Sequence, residues 1–187
     1  MSEPFNLKEA FSSFQRSAFR LERLDRYLVE GEQEDSFRHW LRTGALPEPG
    51  PEGQAWLGQV RAWTADGRTL QRVHVVTPPL TDYLRWELAV YEQQTGPAGE
   101  DIRVCDTSRA PWIVAALGPE FWLFDDQDVA ECRYGPDGAW LGAVRGELPV
   151  SYYRGVRGLV AAAGVPVADY LTGLAATAAA AAASGSR

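Results

Sequence analysis

The sequence predicts a mixed α/β domain, a central mixed sheet of about five strands with flanking helices, on three observations. Apolar residues recur at helical spacing through residues 32–66, change to strand-like runs between residues 70 and 144, and return to helical spacing from residue 149. β-Branched bulk gathers in the middle section, where Val73, Val75 and Val76 stand together. Turn signals separate the runs, the strongest being Gly135-Pro136-Asp137-Gly138. Helices, then β-α-β-β-β-β, then helices is the order of a sheet with helices packed around it.

The elements follow in order. Residues 5–29 carry a mixed pattern: Phe11, Phe14 and Ala18 fit one helical stripe, whereas Phe19 and Leu21 alternate as a short strand would, and both readings stay open. A helix is expected from about Glu32, with Phe37, Trp40 and Leu41 on one face and Gly44 as its stop. The breaker segment 45–53, ALPEPGPEG, reads as a loop. Trp56, Val60 and Trp63 mark the next helix, ended by Asp66-Gly67. A strand runs from Leu70 to Val76, closed by Thr77-Pro78-Pro79, and a helix from about Thr81 to Thr95, stopped by Gly96-Pro97. Asp101 to Cys105 is a short strand, and the continuous apolar run Phe121 to Phe124 reads as a central strand buried on both faces. Val129 to Tyr134 and Ala139 to Val144 flank the hairpin turn, and helices follow at about 149–163 and 166–176, the second opened by Pro166. One domain is expected over residues 1–174, with a helical part at 1–66, a β-rich core at 67–145 and C-terminal helices at 149–174. An alanine-rich tail fills 175–187.

Composition narrows the function. The chain has 187 residues, 45% hydrophobic and 11% aromatic, enough for one sizeable core. No apolar run approaches the roughly 18–20 residues of a membrane span. The start MSEPFNLKEAF lacks the basic and apolar stretches of a signal peptide, so a cytoplasmic location is expected. A net charge of −7 argues against direct nucleic-acid binding. Arg16, Arg20, Arg23 and Arg26 lie close together, but Glu22 and Asp25 interleave them, as on a solvated, salt-bridged face. Cys105 and Cys132 have no CxxC spacing and read as buried thiols. His39 reads as a surface or interface residue, and His74, mid-strand, as a hydrogen-bonded structural histidine. Phosphate-cradling glycine loops and GxSxG are missing, and Lys8 is the only lysine. No catalytic residue, metal ligand or cofactor is therefore expected. Hydrolase or transferase chemistry through histidine, cysteine or zinc is excluded.

The candidate binding residues are Tyr83, Arg85, Glu87, Asp101, Arg103, Asp125 and Asp126. In the helix after Leu80, Glu87 falls four residues from both Tyr83 and Tyr91, in the middle of the apolar face that Leu84 shares. A carboxylate there needs a partner, because burying a lone charge is costly. Arg72 and Arg103, on the flanking strands, are the expected partners, in a clamp of helix to sheet. Glu100-Asp101 and Asp125-Asp126 are acidic pairs beside strands, a pattern that serves Mg²⁺ binding, acid–base work or a plain polar turn. The leading expectation is a non-enzymatic regulatory or interaction protein that recognises a protein partner or senses a small ligand. The alternative is an enzyme using the Glu/Arg pair or a metal on an acidic pair.

Several segments together resemble a known group: Phe19-Arg20-Leu21-Glu22, Gly67-Arg68 leading into Arg72-Val73-His74-Val75-Val76, Thr81 to Glu87, Gly99 to Arg103, and Phe121 to Asp126. The pattern resembles an uncharacterised family of actinobacterial proteins encoded beside helix-turn-helix transcriptional regulators. That resemblance implies a protein partner, the helix-turn-helix regulator, and carries no activity. A fainter similarity is to half of a phospholipase-D-like domain, whose enzymes need His-x-Lys followed by Asp. No histidine here is followed by that lysine, so the similarity implies a fold and not the chemistry.

Overall fold

A computed structural model describes residues 3–184. Its centre is one seven-stranded mixed sheet. The strands are β1 (Ser17–Glu22), β2 (Thr69–Val76), β3 (Glu100–Asp106), β4 (Phe121–Phe124), β5 (Asp128–Tyr134), β6 (Trp140–Arg145) and the two-residue β7 (Val165–Pro166), in the order β6-β5-β4-β1-β2-β3-β7. β1, β2 and β3 are parallel, and the remaining pairings are antiparallel. The helices are α1 (Leu7–Ser13), α2 (Gly31–Thr43), α3 (Pro51–Ala65), α4 (Asp82–Val90), α5 (Val150–Ala163) and α6 (Val167–Ser184).

The mixed α/β class holds, with two strands more than the five expected. β1 is the short strand that the alternation of Phe19 and Leu21 leaves open, while Phe11 of the helical alternative falls in α1. β7 holds only Val165 and the donor-less Pro166, a residue that tolerates a sheet edge. Two boundaries also move. The segment 45–53 is loop only to Gly50, because Pro51 opens α3 from its first turn. The alanine run continues α6 as far as Ser184, as alanine's helix propensity favours; residues 185–187 of the tail lie outside the described residues.

The two-residue period of β1 divides its side chains between the sheet's faces. Phe19 and Leu21 enter one core with Val73, Val75, Phe121 and Leu123, which α5 covers through Tyr153, Val156 and Val160. Ala18, Arg20 and Glu22 point to the other face. There Trp122 and Phe124 pack with α1 and α3, while Leu84, Leu88 and Tyr91 pack with Ile102, Val104 and Tyr170 of α6. β4 is buried along its whole length, as its apolar run predicts. The turn 135–138 joins β5 to β6, and Gly138, at φ 82°, lies so close to Arg26 O that a Cβ there would stand 2.6 Å from it.

Candidate functional site

Strand register builds the site. Arg20 lies beside Arg72 and Glu22 beside His74 across the parallel pair β1–β2, so two charged pairs share one sheet face. All four side chains are about nine-tenths buried or more. Burying such groups requires mutual pairing. Glu22 Oε2 accepts from Arg72 Nη1 at 2.8 Å and from the Tyr91 hydroxyl at 2.6 Å, and its Oε1 faces Arg20 Nε at 3.3 Å. Burial works against the ionised carboxyl, but Arg72 and Arg20 prevail and hold Glu22 far below the usual carboxylate range. Arg72 Nε also donates to Glu100 at 3.0 Å. Arg20 Nη2 donates to Glu120 at 2.8 Å and to the Tyr134 hydroxyl at 2.9 Å. The other oxygen of Glu120 accepts from Arg23 N, Leu24 N and the Tyr27 hydroxyl, which fixes the chain as it leaves β1.

α4 supplies the remaining group. Thr81 caps it, accepting from Leu84 N while its hydroxyl donates to Asp25 O. The helix then continues as a single π turn, Tyr91–Thr95, a local widening frequent at functional sites. Glu87 projects inward to His74. His74 Nε2 stands 3.1 Å from Leu24 O, a group that only accepts, so this nitrogen carries the hydrogen. That leaves Nδ1 facing Glu87 Oε2 at 3.3 Å and Glu22 Oε2 at 3.7 Å, and neither Nδ1 nor Glu87 Oε2 has a conventional hydrogen-bond partner. Glu87 Oε1 accepts from the Tyr83 hydroxyl at 3.0 Å. Burial, with the nearby charge of Glu22, pushes the Glu87 carboxyl up to about 7, against the opposing pull of His74, Arg72 and Tyr83. Near neutral pH the Glu87 carboxyl is therefore part protonated and part ionised.

This cluster forms the floor of a cleft of about 960 Å³, reached by Glu22, Arg72, Tyr83, Glu87 and Tyr91. α2 and the segment leading to α3 roof it. α2 buries none of its own residues fully; it is held by Phe37 and Trp40 packing against the aromatic cluster of Tyr27, Tyr83 and Trp86 and by Trp86 Nε1 donating to Ser36 Oγ at 3.2 Å. At the rim, Glu32 of α2 accepts from the N–H groups of Glu52 and Gly53 at the start of α3, at 3.1 Å. Aromatic side chains line the walls, including Tyr27, Trp86, Tyr134 and Trp140.

Of the sequence candidates, only Tyr83 and Glu87 come together here. The expected arginine partners of Glu87 are corrected: Arg72 is taken by Glu22 and Glu100, and Arg103 lies on the opposite sheet face. There Arg103 Nε sits 3.4 Å from Asp101, near the carbonyls of Ala161 and Gly164. The cause is strand period: Arg103 is out of phase with Glu100 and Ile102, which share the cluster's face. Asp101 is exposed and accepts from Gln71. Arg85 is exposed, its Nε 3.4 Å from Leu80 O. Asp125 accepts from the N–H groups of Gln15, Arg16 and Ser17, which overcome its partial burial and lower its carboxyl. Asp126 pairs with Arg157 at 2.7 Å. Asp101, Asp125 and Asp126 are thus spent on structure away from the cleft, whereas Glu100 turns inward and joins the buried cluster through Arg72. Sequence reading missed Glu22, His74 and Tyr91 as site residues; the signal was charge alternating with bulk in the neighbouring segments FRLE and RVHV.

The donor atoms of Glu22, His74 and Glu87 lie within 4.8 Å of one another, a spacing open to a metal ion. Glu22 Oε2, however, already accepts two hydrogen bonds, and two guanidinium groups stand beside it. A divalent cation would have to displace Tyr91 and sit against Arg72. The donor set suits a proton better than a metal. Cys132 is no nucleophile: burial pushes its thiol up to about 11, against the opposing pull of Arg20. No helix among the described residues is long and apolar enough to cross a membrane. No curated protein matches the chain. Residues 6–172, spanning the sheet, the cleft and the helices that roof it, match the family described as a domain of unknown function, DUF6879, and the protein belongs to that family.

Proposed function

We propose that this protein is a non-enzymatic regulatory protein that senses a small ligand in the α2–α4 cleft and passes the signal to a helix-turn-helix transcriptional regulator. The observation that carries the reading is the cleft floor, where His74 Nδ1 and Glu87 Oε2 are buried and facing each other with no conventional hydrogen-bond partner. Unpaired buried polar atoms beneath a large cavity are costly for stability alone and useful for binding. The roof supports the same reading, since a helix with no fully buried residue can shift at small cost when a ligand enters. The regulator as partner, and an actinobacterial origin, rest on the resemblance of segments such as FRLE and TDYLRWE. The phospholipase-D likeness is retained only as a fold suggestion, because no histidine of the chain is followed by the lysine that chemistry needs.

A second reading is favoured by one observation: a carboxyl pushed to about 7 in a cleft is poised for general acid–base work. Against it, the His74 ring is wholly buried, and Glu87's free oxygen faces that ring. A thermal-shift experiment tests the sensor. Small-molecule extract from cells that carry the gene is expected to raise the melting temperature of the wild-type chain, since ligand binding adds to stability by mass action. The shift should vanish in Glu87→Gln. An unshifted wild type, or an undiminished shift in the variant, overturns the reading, and consumption of an extract component would move it to the enzyme.

A further inference from the structure

We infer that the ligand of this cleft is an organic cation, an ammonium group on an apolar body, held at its charged end by Glu87. The inference rests on the sensor reading and names its ligand class. Four carboxyl groups, Glu22, Glu87, Glu100 and Glu120, face two guanidinium groups, Arg20 and Arg72, and one imidazole in the buried cluster. Both guanidinium groups are already bound to two carboxylates each. An anion entering the cleft would find no free positive group on the floor and would meet an excess of carboxylate. A cation finds the reverse. Glu87 is the one carboxyl on the floor that no arginine holds; about a tenth of its side chain is exposed, Oε2 is turned inward to His74 and Oε1 accepts from Tyr83, so the carboxyl must turn towards the cleft to meet the ligand.

The walls fit the same class. Tyr27, Tyr83, Trp86, Tyr91 and Tyr134 line the same cleft as the carboxyl, and rings beside a carboxylate are the usual lining for an ammonium and its alkyl or aryl body. The cleft's size suits a molecule of many heavy atoms better than a bare ion. Binding should also move a proton. Six groups face Glu87: Tyr83 from its own helix, His74 and Arg72 from β2, Glu22 from β1, Tyr27 from the following loop and Tyr91 from the π turn. Burial and Glu22, against His74, Arg72 and Tyr83, leave its carboxyl at about 7, so part of the population is protonated at neutral pH. An arriving ammonium group stabilises the carboxylate and expels that proton to solvent.

The test uses the full chain and three probes with one indole skeleton: tryptamine, tryptophol and indole-3-acetate, which are cationic, neutral and anionic at neutral pH. Calorimetry in two buffers of different ionisation enthalpy reads affinity and proton release together. Tryptamine should bind at least about tenfold more tightly than the other two, a difference of about 1.4 kcal/mol. It should release a fraction of a proton, and lose both properties in Glu87→Gln, whose folding is checked by its melting curve. Equal or tighter binding of tryptophol or indole-3-acetate overturns the inference, as does tryptamine binding that persists in the variant, or no tryptamine binding. The cell extract separates this failure from that of the sensor reading. Its stabilising component should be retained by a sulfonate cation exchanger and should be insensitive to EDTA. A component that passes the exchanger, or that EDTA removes, overturns the organic cation and leaves the sensor standing. An extract with no stabilising component overturns both.

Discussion

At the scale of single residues, Glu87 shows how a partner decides what a substitution does. An arginine partner would have made Glu87→Gln costly, by leaving a buried cation alone. With His74 and Tyr83 as its neighbours, glutamine imitates the protonated acid: its amide can donate to Nδ1 and its carbonyl can accept from Tyr83. The variant is therefore expected to melt within about 1 kcal/mol of wild type at neutral pH. The pH dependence follows from the direction of the shift. A carboxyl raised in the folded state contributes stability that is fully present below its ordinary value and is lost as pH rises to about 7 and beyond. Glu87→Gln should therefore gain on wild type in melts taken as pH rises from the ordinary carboxyl range to about 7, and the difference should level off above that. A constant difference across that range would show that Glu87 does not titrate there. Glu22 runs in the opposite sense. Its carboxyl, held low by Arg72 and Arg20, contributes stability at neutral pH that is lost only in acid.

At the scale of elements, β4 and the turn after it offer two measurements. Phe124 is 2% exposed and packs against Phe5, Phe11 and Trp122, so Phe124→Ala should cost about 3–5 kcal/mol in a denaturant titration. A loss of under about 1 kcal/mol would contradict the packing of that strand. Asp125 and Asp126 take positive φ, 53° and 59°, in the three-residue link from β4 to β5, a conformation aspartate tolerates better than most residues. Asp125 then gathers three backbone N–H groups from the segment entering β1. Asp125→Asn, which keeps the turn but not the charge, should cost about 1–3 kcal/mol at neutral pH. The difference should shrink as pH falls through the lowered carboxyl of the wild type, since a depressed acid loses its contribution in that direction. A pH-independent difference would assign the effect to the turn alone.

At the scale of the molecule, the net charge of −7 sets the expected partners. The arginines nearest one another in sequence do not form a basic face: Arg20 is buried in the carboxylate cluster and Arg23 Nη1 donates to Gly118 O. The isolated chain should show no duplex-DNA binding in a gel-shift assay at physiological salt. Binding with a steep salt slope would reveal a phosphate-contacting surface elsewhere.

How much of this was legible in advance follows from which signals are local. Helical stripes, the apolar run of β4, the hairpin turn and the caps lie within a few residues of one another, so they could be read from order alone. Glu87 was marked as a buried carboxyl by its place on the apolar face of α4, again a local fact. The identity of its partner was not local. Arg72, His74 and Arg103 are all near α4 in sequence, and only strand phase and parallel register put His74 against Glu87 and sent Arg103 to the far face. Glu22 lies 65 residues from Glu87, and its segment gave too short an alternation to be recognised as the middle strand of the sheet. The sequence by itself determined the class of fold, the burial of a carboxyl and the excess of acid. Only the tertiary structure decided which charges meet, because pairing across parallel strands is fixed by register between segments that the chain brings together from a distance.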